Sequence, residues 1–139
     1  MIRKLSLSFL LLFLSIVSFS QIYDPVTWDF SYEIKEEGVY DLVFTATVED
    51  KSHLYGMDIP DGGPIPTAFT FEASDDYDLI GDVREMNEGE IVFDQAFEME
   101  VKYFSGVVEF RQTVTSELKV FSVNGYVTYM ACDDERCSP

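Results

Sequence analysis

Cys132 and Cys137 are the only cysteines in the chain, and both fall in its closing stretch Cys132-Asp133-Asp134-Glu135-Arg136-Cys137-Ser138-Pro139. Two thiols this close can form a bond that is made once and kept, or one that opens and closes. Closing so short a loop stabilises the folded chain by only about 2 kcal/mol on chain-entropy bookkeeping, against about 4 to 5 for a long staple. A purely structural bond therefore gains little here, and a reversible one is the other candidate. The spacing is not Cys-x-x-Cys at the start of a helix, so it is not a thioredoxin-like site, and no helix N-terminus is expected to depress a thiol pKa. Asp133, Asp134 and Glu135 disfavour a thiolate, with only Arg136 opposing them. Such a pair suits a relay: the oxidised form is attacked by a partner's thiolate, and the reduced form reacts only when a partner is docked. A clip pinning a terminal hairpin fits the composition equally well.

The compartment decides whether a disulfide persists. Arg3 and Lys4 precede an apolar run from Leu5 to Val17, and Ser18-Phe19-Ser20 has the small-x-small pattern of a cleavage site. The run is shorter than the roughly 20 residues of a spanning helix, so residues 1–20 read as a secretory signal peptide and 21–139 as one domain. Removing Arg3 and Lys4 moves the formal charge from −17 to −19. Such a surface repels phosphate backbones and argues against a nucleic-acid partner. The domain is expected outside the cytoplasm, where disulfides survive.

The elements that must carry the pair read as strands. Trp28, Phe30, Tyr32 and Ile34 alternate with polar residues, as do Phe97, Met99, Val101 and Tyr103. Leu42, Phe44, Ala46 and Val48 form one face of a second strand, and Glu36-Glu37-Gly38 turns between the first two. Pro60 to Pro66 is a loop, because proline lacks a ladder donor. Ile91 to Phe97 is less regular and reads as a loop, while Leu118 to Met130 reads as one long bent strand in spite of Asn124-Gly125. Seven or eight short strands at these spacings predict an all-β, immunoglobulin-like antiparallel β-sandwich. His53 reads as a surface or strand-end residue, the methionines as core, and Asp75-Asp76 as solvated turn residues.

From about Trp28 to Pro139 the chain resembles the N-terminal periplasmic domain family of the thiol:disulfide interchange protein DsbD. The resemblance rests on Gly62-Gly63-Pro64-Ile65-Pro66-Thr67 with Phe69-Thr70-Phe71, on Met99-Glu100-Val101-Lys102-Tyr103-Phe104, and on Gly125 to Cys132 with Cys137-Ser138-Pro139. It implies an immunoglobulin-like sandwich with the cysteines on a hairpin, working in the periplasm as a protein-disulfide reductase domain without a bound cofactor or metal. The implied partners are thioredoxin-like redox domains, periplasmic disulfide isomerases and cytochrome c maturation proteins, with the domain tethered to a membrane protein in a longer chain. Cys137 would form the mixed disulfide and Cys132 would resolve it. The resemblance also implies a cap loop over the cysteines at Asp94-Gln95-Ala96-Phe97, with Tyr55 beside them. Ala96 stands where the family carries its shielding phenylalanine, which leaves Phe97 or Phe93 for that task. The alternative function is a secreted immunoglobulin-like binding module with a purely structural disulfide.

The acidic run between the thiols makes one prediction independent of any resemblance. Alkylation of the reduced protein against pH should titrate above the free-cysteine value of about 8.5, and a midpoint well below it would contradict the reading.

Overall fold

The computed structural model describes residues 23–138, so the signal-peptide reading of residues 1–20 lies outside the described residues. Alternation of apolar and polar side chains is realised directly in β1 (Val26–Glu36) and β2 (Val39–Val48), which Gly38 joins in a left-handed turn conformation (φ 77°). They are followed by β3 (His53–Tyr55), β4 (Ala68–Phe71), β5 (Asp78–Glu85), β6 (Glu90–Asp94), β7 (Met99–Phe104) and β8 (Val107–Thr115). The chain closes with β9 (Gly125–Thr128), β10 (Ala131–Cys132) and β11 (Cys137–Ser138).

One sheet has the order β1-β2-β8-β5 and the other β11-β10-β3-β7-β6, with β4-β9 as a two-stranded ladder. All pairings are antiparallel. Ala46 and Val48 of β2 with Val108 and Phe110 of β8 meet Leu54, Phe104 and Ala131 of the opposite sheet in one buried cluster. Trp28, Phe44, Phe69 and Tyr129 pack against its margin. Burial of each large apolar side chain contributes about 2 kcal/mol, which makes this layer the main source of stability. The predicted immunoglobulin-like antiparallel sandwich is the observed architecture.

Two expectations are corrected. Ile91 to Asp94 is not a loop: it lies in β6, paired with β7 from Glu90↔Tyr103 to Asp94↔Met99. The alternation is hidden because Ile91 and Phe93 occupy an exposed face of an edge strand while Val92 packs on the other. Leu118 to Met130 is not one strand either. After β8 the chain must leave one layer for another about 10 Å away, so residues 117–123 cross outside any strand and β9 begins only at Gly125. Gly125 is required there, because a Cβ at this position would sit 2.2 Å from the Thr70 carbonyl oxygen.

The outer face of the first sheet carries an ionic ladder. Asp41 is 3% exposed, accepts a hydrogen bond from Thr113 Oγ1 at 2.7 Å, and has Arg84, Arg111 and Lys35 at 3.4, 3.6 and 3.8 Å. Burial works to raise its pKa, but the Thr113 hydroxyl and the three cations outweigh burial and hold it below the ordinary carboxylate value. Its contribution is therefore complete above that ordinary value and is lost as pH falls through the lower folded one. Asp41→Ala should cost about 2 kcal/mol in urea unfolding at pH 7, in keeping with loss of charge-assisted hydrogen bonds. The deficit should shrink once the wild-type carboxylate is protonated at low pH. An unchanged midpoint at pH 7 would contradict the ladder's role.

Candidate functional site

The pleat of β10 sends Ala131 into the sandwich core and Cys132 to the far side of the second sheet. Cys132 faces Cys137 across the β10-β11 pair, and the two are disulfide-bonded with Cα atoms 4.0 Å apart. The intervening turn is held by Asp133, whose amide donates to the Arg136 carbonyl at 2.9 Å. Asp133 Oδ1 accepts from the amides of Glu135 and Arg136, both at 2.8 Å. These bonds, the Glu135 amide foremost, hold the Asp133 carboxyl below its ordinary pKa. The Arg136 guanidinium lies 4.0 Å from the Tyr23 ring centroid, and Tyr23 Oη is 3.0 Å from Ser52 Oγ. The start of the described chain is thereby docked on the cysteine hairpin.

The two cysteines are not equivalent. Cys132 is 3% exposed, whereas Cys137 is exposed on the outermost strand of the sheet. Cys132 belongs to a second buried cluster with Tyr55 and Val101, packed by Phe97, Met99, Tyr103, Met130, Val92 and Ile59.

The Asp94-Gln95-Ala96-Phe97 stretch is the loop of the β6-β7 hairpin, and its anchor is Asp94. Asp94 Oδ1 accepts from the amides of Ala96 at 2.8 Å and Phe97 at 3.2 Å, the local turn an aspartate makes with its own following backbone. Its Oδ2 accepts from Tyr55 Oη at 2.6 Å. Glu98 closes the loop in the left-handed region (φ 54°). The Phe97 ring meets Tyr55 edge to face, with centroids 6.1 Å apart. Phe97 thus joins the cluster that contains Cys132, while Phe93 faces solvent at the sheet edge and Gln95 and Ala96 are exposed. Burial and the Asp94 bond push the Tyr55 phenol up, so it is protonated throughout the physiological range. For Asp94, burial acts to raise the pKa and is outweighed by the Tyr55 hydroxyl, the two amides and His53, leaving it low.

His53 opens β3, the strand-end position expected for it, and the structure adds that it lies beside the cysteine pair. It is half-buried and sits directly opposite Cys132 in the β3-β10 pairing, with its ring 4.6 Å from that of Tyr103 and 5.0 Å from that of Tyr55. No described residue bonds its buried Nε2. Burial lowers its pKa against the pull of Asp94, Asp134 and Asp133, so the imidazole is neutral at pH 7. The alternation of His53 and Tyr55 around Leu54 was the available signal. Among the described residues no group of three or more His, Cys, Asp or Glu side chains is placed to hold a metal ion.

The geometry is that of a crosslink with one exposed cysteine and one buried in a cluster that Phe97 joins. Asp94→Ala removes all three anchoring bonds and should speed hydrogen exchange of the Ala96 and Phe97 amides about tenfold at pH 7, equivalent to about 1.4 kcal/mol on loop opening. Tyr55→Phe should give a smaller acceleration. In the wild type the protection should persist below the ordinary carboxylate value and fade only as pH drops through the depressed Asp94 value. Equal exchange rates in all three proteins would show that Asp94 does not anchor the loop. No protein-family model and no curated protein matches this chain.

Proposed function

We propose that the chain is a periplasmic thiol-disulfide exchange domain of the DsbD N-terminal type, relaying electrons between thioredoxin-like partners through Cys132 and Cys137. The observation that carries this reading is the asymmetry of the pair, with Cys137 exposed and Cys132 buried in the cluster that Phe97 joins. A partner thiolate attacks Cys137 Sγ, forming a mixed disulfide as the bond to Cys132 breaks and Cys132 leaves as a thiolate that takes up a proton. The partner's second thiolate then attacks the partner's sulfur in the mixed disulfide, closing the partner's disulfide as the bond to Cys137 breaks, and Cys137 leaves as a thiolate that takes up the second proton. Two electrons and two protons have moved, leaving the domain reduced and the partner oxidised. In the onward step Cys137 attacks a target disulfide and Cys132 resolves the complex.

The surrounding groups suit that division of labour. Three acidic residues in the turn and the low-pKa Asp94 disfavour a free thiolate, so the reduced pair is quiet until a docked partner changes its surroundings. No cofactor takes part in this cycle.

Equilibration with glutathione buffers should give a reduction potential inside the range of exchange catalysts, about −120 to −270 mV. A potential below about −300 mV marks a structural bond and leaves the binding-module reading. Cys132→Ser, with Cys137 as the remaining thiol, should accumulate a mixed disulfide with a thioredoxin-like protein. Cys137→Ser should not.

A further inference from the structure

We propose that the chain has a second binding site, for a single-chain amphipathic anion such as a fatty carboxylate, in an aromatic groove that shares no residue with the disulfide site. The groove has a volume of about 570 Å³. This falls in the range of small-molecule sites, about 300 to 1,000 Å³. It opens where the core faces of β1 and β2 run beyond the cover of the second sheet, with the β4-β9 ladder and residues 119–124 as its other walls. Phe30 and Tyr32 line one side and Phe71, Phe121 and Tyr126 the other. Phe30 is 62% exposed and Tyr126 64%, so the aromatic lining is wet as it stands. Displacing that water with an acyl chain is favourable in proportion to the apolar area covered.

Charge specifies the headgroup. In a chain with 26 acidic residues out of 139, no carboxylate lines this groove, and the one charged residue that does is Lys119. Of the seven described cations, Lys35, Arg84, Lys102, Arg111 and Arg136 make ion pairs with described residues and Lys51 and Lys119 do not; only Lys119 lines the groove. A cation at the rim of an apolar trough that no carboxylate lines complements a ligand with an apolar tail and an anionic end. The negative charge elsewhere on the domain is screened beyond about 8 Å at physiological salt and does not cancel this local preference.

Calorimetric titration of the protein with octanoate, decanoate and decyltrimethylammonium tests the inference. Decanoate should bind one to one, with affinity rising about fourfold per methylene from octanoate, the equivalent of about 0.8 kcal/mol per buried CH₂. The cationic amphiphile should bind more weakly in spite of the acidic surface. Lys119→Gln should weaken decanoate about threefold, as expected for a solvent-exposed charge pair. Tyr126→Glu should abolish binding, and Val120→Glu, at a residue 88% exposed, gives a second block should the first variant not fold. Chemical reduction of the disulfide should leave decanoate binding unchanged, so this result stands or falls separately from the relay. The inference is overturned if the cation binds as tightly as the carboxylate, if affinity ignores chain length, or if binding survives a folded groove variant. It is also overturned if the groove proves to be closed by dimerisation that decanoate does not reverse.

Discussion

The constraint on which this structure turns is the two-residue repeat of the strand pleat at β3 and β10. Leu54 and Ala131 are committed to the sandwich core, so Tyr55 and Cys132, their immediate neighbours, must emerge on the far side of the same sheet. A buried tyrosine and a buried half-cystine on an outer face need cover of their own. The β6-β7 loop supplies it, and the sheet therefore carries a core on each side. Sliding either strand by one residue would exchange the two sets, placing a phenol and a sulfur in the core and leucine against the loop.

Asp94 links that packing to electrostatics. One carboxylate oxygen organises its own loop backbone and the other accepts the Tyr55 hydroxyl, so loop conformation and sheet face are tied through a single ionised group. The same charge lies near His53, whose burial keeps it neutral, and the disulfide turn adds three more carboxylates. Around the crosslink the fixed charges are overwhelmingly negative. In the relay proposed above, such a field would disfavour thiolate formation in the reduced pair until a partner alters it.

The first sheet solves a different problem with similar chemistry. Its inner face supplies the aromatic half of the core, and its outer face buries Asp41 among three cations and the Thr113 hydroxyl. Most described cations are engaged in such pairs; Lys119 is not, and it is the charged residue that lines the aromatic groove. The sandwich thus offers two chemically distinct regions: a capped polar crosslink on the second sheet, and an open aromatic trough where β1 outruns its cover.

The residues by themselves determined the class of fold and the reactive pair. Period-two alternation in β1, β2, β7 and β8 is a local property that survives in any antiparallel packing, and the only two cysteines, separated by four residues, are each other's one available disulfide partner within the chain. The crossing between layers and the edge strand β6 were not legible. Whether an apolar run pairs, crosses or lines an exposed edge depends on which strand lies beside it, as Ile91 and Phe93 illustrate. Tertiary structure alone decided that His53 lies opposite Cys132, that Phe97 rather than Phe93 joins the cysteine's cluster, and that Asp94 reaches Tyr55. Those contacts join residues about 40 to 80 positions apart, and no spacing rule encodes them, because strand order within a sheet is set by the packing of the whole chain rather than by any one segment.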